Sequence, residues 1–325
     1  MPLGDIDKAT KKYMSDNHNF ADIFNYVIFG GESVIHPDQL QELDPTEIES
    51  LYVDENGTAS MVEKNRDVLK EITAKSDDYA TYVLMGIENQ TNVDYGMPVR
   101  NMLYDALSYT KQIEEIKKQH KEDKNYGNKH GEFISGIHKD DRLNPVITLV
   151  VFWAPEKWDG PRSLHDMLTD VRPEFLKYIA DYQINIVAPE ELENDDYKKF
   201  HSDVGNALFF MKYSKDSEKL KEFINSNPAF HNVSNETVEL LNTLTNSNIE
   251  IDPGKETVDV CQAIVDLENK AAENATNNTR EEMVIDLLKD GTLSIEKISE
   301  IAKIPVSKVQ ELSNSVCGSG ERKFL

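Results

Sequence analysis

The chain has 325 residues, 39% of them hydrophobic, and a formal charge of −24; that length holds two domains, or one domain with a helical extension, around a real core. The acidic balance favours solubility and opposes casual adsorption on DNA, because the far field of the protein repels phosphate. Two cysteines, Cys261 and Cys317, are too few and too far apart for a disulfide framework or a cysteine-based zinc site.

The opening MPLGDIDK lacks the basic-then-apolar pattern of a secretory signal. The longest strongly apolar run, residues 146–154, is about half of what a bilayer crossing needs. The expectation is a soluble cytoplasmic protein with no membrane partner.

In chain order, residues 5–29 read as one helix, with Phe20, Ile23, Phe24, Val27 and Ile28 at helical spacing. Gly30 and Gly31 stop it, and Pro37 and Pro45 punctuate the loop beyond. Residues 65–72 read as a strand, 76–78 as a turn and 82–90 as the hairpin partner. A long amphipathic helix is expected over 97–118, with Leu103, Ala106, Leu107, Thr110 and Ile113 along one side. Residues 120–144 are polar and contain glycine, which suits a loop, and the histidines show no metal-ligand spacing, so His130 and His138 read as solvent-exposed.

Residues 145–153, PVITLVVFW, are a second buried strand. Because it follows a helix, a crossover into the same sheet is expected, and the order of elements is that of an α/β architecture with a central sheet. Trp153 and Trp158 flank Pro155, as in a packed corner. From Pro189 onward the pattern is nearly all helical and heavily charged; residues 274–279 read as a linker, and 283–312 as three short helices separated at Asp290-Gly291 and at Pro305. Ser307 and Gln310 fit a capping box for the last of them.

The chemistry concentrates at one strand end. Side chains alternate along a strand, so Glu88 and Gln90 emerge on one face while Ile87 and Asn89 emerge on the other. A hairpin brings Asp67 beside Glu88, and two carboxylates with an amide make a hard-oxygen cage suited to Mg²⁺. Such an ion can polarise a phosphodiester and acidify an attacking water. A strand that merely reaches the surface also ends in polar residues, so the residues alone leave both readings open.

The ordered set resembles a known pattern. Asp67, then the ENQ of 88–90 closing an apolar strand, then a helix opening MPVR at 97–100 with Tyr104 inside it, looks like the PD-(D/E)XK nuclease superfamily. More closely it is similar to the Rpn group, the recombination-promoting nucleases also labelled putative transposases. The segments FADIFN (20–25), NPVITLVVF (144–152), WDGPRSLH (158–165) and LSIEKISEIAKI (293–304) are similar to that group as well, so the resemblance covers most of the chain.

The resemblance implies a restriction-endonuclease-like core, a central mixed sheet flanked by helices, with a helical C-terminal extension. It implies metal-dependent DNA cleavage linked to recombination or mobile elements, with Mg²⁺ or Mn²⁺ as cofactor and DNA as partner. Asp67 and Glu88 would be metal ligands, Gln90 would stand at the lysine position, and Asp22 would add an acid from the first helix.

The domain expectation is a nuclease domain over 1–188, a helical extension over 189–275 and a small helix-turn-helix-like module over 280–314. The helical middle has no chemistry of its own and suits homodimerisation, as an enzyme that cuts two strands requires. Arg100, one turn from Tyr104, can fork onto a phosphate or pair with a nearby acid. Residues 111–142 hold eight Lys or Arg against seven Asp or Glu; there Lys111, Lys117, Lys118, Lys121 and Lys124 either edge a DNA groove or line a solvated face. A rival reading is a degenerate nuclease fold that binds DNA or a protein partner without catalysis.

Overall fold

The structure, a computed structural model, describes residues 3–43, 46–53, 59–65, 67–76 and 79–318. The chain runs through α1 (Leu3–Ser15), α2 (Asn17–Phe29), β1 (Leu40–Glu42), β2 (Thr46–Val53), β3 (Ala59–Asn65), β4 (Val68–Ser76), β5 (Tyr79–Gln90), α3 (Met97–Glu122), α4 (His130–Ser135) and β6 (Val146–Phe152). It continues through α5 (Pro173–Leu176), β7 (Asn185–Val187), α6 (Val204–Tyr213), α7 (Ser217–Ser226), β8 (Val233–Ser234), α8 (Asn235–Thr245), β9 (Thr257–Val258), α9 (Val260–Asp290), α10 (Ile295–Ala302) and α11 (Val306–Gly318). The chain divides into two compact units, Met1–Val258 and Asp259–Leu325.

The first helical stretch is two helices, not one. Asp16 takes extended backbone and accepts from the amides of His18 at 2.8 Å and Asn19 at 3.1 Å, capping α2 where a continuous helix was expected. Everything from Asn19 to Asn25 is buried, whereas Val27 and Ile28 stay exposed. Gly30 closes the helix in the left-handed region, φ +64°.

The first unit is built on a five-stranded mixed sheet in the order β1-β4-β5-β6-β7. β1, β4 and β5 pair antiparallel; β5, β6 and β7 pair parallel. The β4–β5 hairpin forms as the sequence predicts, with Val68 opposite Ile87, although β4 begins at Val68 and Asn65 belongs to β3. Of the expected turn, Asp77 and Asp78 lie outside the described residues. Strands β1 to β3 fall in a stretch that reads as loop between Pro37 and Asn65; β2 and β3 form their own two-stranded sheet.

The crossover from β5 through α3 sets β6 parallel to β5, placing Glu88 opposite Val150 and Gln90 opposite Phe152. One face of the sheet packs Val150 and Phe152 against Met97 and Trp158. On the other, Tyr13 of α1 meets Trp153 edge-on at 6.1 Å. Both tryptophans are buried, as a packed corner requires.

Helix α3 buries a different stripe from the one its apolar residues mark. Leu103 is exposed at 37%, and Ala106 and Thr110 are exposed too. The sheet-facing stripe is instead Asn101, Tyr104, Asp105, Ser108, Tyr109 and Gln112. Asp105 accepts from Thr148 Oγ1 at 2.7 Å and from the Tyr182 hydroxyl. Tyr109 accepts from the Val146 amide at 3.1 Å, and Gln112 bonds the Asn144 backbone in both directions. Directional hydrogen bonds to β6 and its approach fix the helix's rotation, and hydrophobic periodicity carries no information about them.

Beyond β7 the first unit is mixed, with a small β8–β9 pairing among its helices. In the second unit, residues 274–279 are not a linker but the middle of α9. Val284, Ile298, Ala302 and Val309 form a small core for α9, α10 and α11. The separations at Gly291 and Pro305 hold, but α11 opens at Val306 with the Pro305 carbonyl accepting from Val309, so Ser307 lies inside the helix rather than capping it. Among the described residues no helix is long and apolar enough to cross a membrane.

Candidate functional site

Strand β5 delivers Glu88 into a fully buried position, 0% exposed, on the sheet face that α3 covers. Helix α3 starts with Asp94 accepting from the Gly96 amide at 2.8 Å and Pro98 in its first turn, where a missing N–H costs nothing. One turn later Arg100 reaches back to the strand. Its Nη2 lies 3.0 Å from Glu88 Oε2, its Nη1 3.4 Å from Asp94 Oδ2, and its Nε donates to the Tyr104 hydroxyl at 3.3 Å. The guanidinium also stands 5.7 Å from the Tyr104 ring centre.

Asp67 sits one residue before β4 and accepts from the Asn89 amide at 2.7 Å, which fixes its carboxylate beside the Glu88 end of β5. Burial pushes the Asp67 carboxyl up from its ordinary value, more than the Asn89 hydrogen bond and the Arg100 charge pull it down. Burial works against the Arg100 charge, but Glu88, Tyr104 and Asp94 outweigh it and hold the guanidinium above its usual range. The Tyr104 hydroxyl is raised by burial and then by the Glu88 charge. Asp67, Glu88, Arg100 and Tyr104 therefore form one electrostatic group.

Asn89 points to the other face, where its Oδ1 accepts from Trp153 Nε1 at 2.8 Å. Gln90 is half-buried, and its carbonyl accepts from the Trp153 amide at 2.7 Å. Past this strand end opens a groove of about 640 Å³ lined by Thr91, Asn92, Tyr95, Trp153, Lys157 and Asp159 among others. Carboxylate oxygens with an adjoining amide are hard donors that suit Mg²⁺ or Mn²⁺. A buried carboxyl whose charge is disfavoured, as at Asp67, gains from a cation beside it.

Asp22 lies elsewhere. It is buried and accepts from the amides of His201 at 2.9 Å and Ser202 at 2.8 Å and from the Ser202 hydroxyl at 2.7 Å, holding the segment before α6 against α2. Asp22, Asp67 and Glu88 are not one of the described groups of three whose ligand atoms lie within 4.8 Å of each other. Of the α3 lysines, Lys118 is exposed with Glu122 3.9 Å away, and Lys117 pairs with Glu114 at 2.9 Å. Lys111 lines a separate cavity of about 240 Å³ with Leu69, Glu71, Ser108 and Glu115. In the second unit, Lys308 of α11 lies 3.6 Å from Glu281 and 3.4 Å from Glu311.

Two features escape sequence reading. Lys70 of β4 is buried, donates to the Ser15 carbonyl at 2.6 Å and to Asn17, and sits 5.3 Å from the Phe20 ring centre; burial lowers its pKa. The register puts it opposite Met85, on the sheet face away from Glu88. The second feature corrects an expectation: His138 is not solvent-exposed but stacks on His120 beside Asp141. A signal was present in the polar 120–144 stretch, but only its folding brings residues so far apart together.

A family model described as a putative transposase, YhgA-like, matches residues 7–240, a span that includes the whole sheet, Asp67, Glu88, Gln90 and Arg100 and ends before α9. No curated protein and no solved structure matches the chain.

Proposed function

Because the chain belongs to the YhgA-like putative transposase family, we propose that it is a metal-dependent DNA endonuclease acting at Asp67, Glu88 and Gln90, in the service of recombination or a mobile element. The observation that carries this reading is the buried Glu88 carboxylate held beside Asp67 at the end of β5, with Arg100 3.0 Å away.

Asp67 and Glu88 would hold Mg²⁺ or Mn²⁺, with the Gln90 amide at the edge of the site. When bound, such an ion polarises a phosphoryl oxygen and lowers the pKa of a water. Arg100 does two things. It pairs with Glu88 and aims it, and at 37% side-chain exposure it presents N–H donors toward an incoming phosphate. Tyr104 braces it from one turn away. Gln90 would orient the attacking water or the phosphate; being uncharged, it would not itself offset developing negative charge. The groove beyond Gln90 offers the strand a path past these groups.

The test is supercoiled plasmid incubated with Mg²⁺ or Mn²⁺ and either wild type or Glu88→Gln. Nicking or linearisation by wild type alone supports the reading; equal cleavage by both ends it. A second reading, a nuclease fold that binds DNA without cutting, draws on the Arg100–Glu88 pair, which occupies a ligand carboxylate, and on the −24 charge. DNA binding that survives EDTA, with no cleavage under either metal, would favour it.

A further inference from the structure

The other end of α3 carries a cluster of different chemistry. His120, in the last turn of the helix, has Nε2 at 3.1 Å and 3.0 Å from the two carboxylate oxygens of Asp141. His138 stacks on it, ring centres 3.7 Å apart and planes inclined by 30°. The Asp141 carboxylate also accepts from the His138 amide at 2.6 Å, which fixes the turn carrying both residues. Ligand atoms of all three side chains lie within 4.8 Å of each other.

One polar atom in the cluster is unsatisfied. His138 Nε2 is closed off from solvent and has no hydrogen-bond partner among the described residues, an arrangement that costs roughly 1–3 kcal/mol unless something completes it. The segment is also built to hold its shape. Glu132 accepts from the amides of Asn128 at 3.0 Å, Lys129 at 3.1 Å and Lys139 at 3.2 Å, tying both sides of α4 together. Gly127 turns at φ +73°, where a Cβ would stand 2.7 Å from Glu132 and 3.1 Å from the His138 ring. Arg142 donates to the backbone carbonyls of Lys139 and Asp141 at 3.0 Å and 2.7 Å.

We propose that His120, His138 and Asp141 bind a zinc-class divalent ion that clips the C-terminal turn of α3 to the approach of β6. Two imidazole nitrogens and one carboxylate are borderline donors, which favour Zn²⁺ over Mg²⁺. A tetrahedral ion with bonds of about 2.0–2.2 Å sets its donors roughly 3.3–3.6 Å apart. His120 and Asp141, now 3.0–3.1 Å apart, reach that spacing by parting a few tenths of an ångström as the ion replaces the proton between them. His138 Nε2 becomes the third ligand, leaving one position for water. The site is independent of Asp67 and Glu88.

The test strips the full-length chain with EDTA and titrates it with Co²⁺, read by visible absorption, and with Zn²⁺, read by calorimetry. One equivalent with nitrogen-ligand character is expected at this site in wild type, and it should persist in a variant combining Asp67→Asn and Glu88→Gln. His138→Ala and Asp141→Asn should each weaken that binding by at least about tenfold, while His130→Ala, at an exposed neighbour, should leave it unchanged. Zn²⁺ should raise the melting temperature of wild type and not that of His138→Ala. Absence of stoichiometric binding by wild type overturns the proposal, as does undiminished binding by both ligand variants with native circular dichroism.

Discussion

The two ends of α3 carry opposite kinds of polar site. At the N-terminal end, Arg100 reaches a carboxylate with no exposure at all, on the face of a sheet. At the C-terminal end, His120 and Asp141 remain 17% and 20% exposed and meet in a loop. The first pair sits where charge is costly and each partner depends on the other; the second sits where water shares the load. The difference extends to the ions proposed for each end, a hard oxygen-bound one beside β5 and an imidazole-bound one beside α4.

The largest effect expected is a double dissociation. Glu88→Gln should reduce Mg²⁺-dependent cleavage by more than about 100-fold and leave Co²⁺ binding at His120 and His138 intact; His138→Ala should do the reverse. Plasmid cleavage and Co²⁺ absorption, measured on the same preparations, would break the comparison if either variant lost both.

Next comes stability. Arg100→Ala strands the buried Glu88 charge and should cost about 3 kcal/mol, read as a shift of the urea midpoint. His120→Ala removes a partly exposed partner and should cost only about 1 kcal/mol. Equal losses would erase the distinction in burial.

A pH series sharpens it further. Burial raises the Asp67 carboxyl, so the folded state holds that proton more tightly than the unfolded chain does. The favourable contribution is present below the ordinary aspartate range and is lost as pH rises through the folded value. Wild type should therefore lose stability relative to Asp67→Asn as pH climbs from that range, and the difference should level off above it. Urea unfolding across the acid range measures this, and a flat difference would remove Asp67 from the buried group.

The smallest effect belongs to Lys118, near the C-terminal end of the same helix. Its partner Glu122 is 3.9 Å away and both are mostly exposed, so Lys118→Ala should change stability by less than about 0.5 kcal/mol. If Lys118 touches phosphate, the variant should reduce the salt slope of DNA binding by about 1.

The β4–β5 hairpin and the parallel β6 were legible because apolar runs bounded by turn residues report strands directly. The pairing of Asp67 with the end of β5 followed from them. Strands β1 to β3 were not legible, since the apolar runs between Pro37 and Asn65, such as residues 51–53 and 61–62, are too short to report a strand by themselves. The linker expected at 274–279 failed for a related reason: polar composition marks solvent exposure, and a helix exposed all round has that composition too. Within the candidate site, Glu88 and Asp67 could be named from the chain alone, whereas the contact that organises them, Arg100 on Glu88, was one of two open readings.

The sequence by itself determined the class of fold and the strand end where carboxylates gather, because alternation and apolar runs are local properties of the chain. Tertiary structure decided the rest. Asp22 holds a backbone segment near α6 because residues 201–202 fold back onto α2. The rotation of α3 is set by hydrogen bonds from Asp105, Tyr109 and Gln112 to groups more than thirty residues away. His120 and His138 meet only because α4 and its glycine turns reverse the chain between them, and no periodicity in one dimension encodes that reversal.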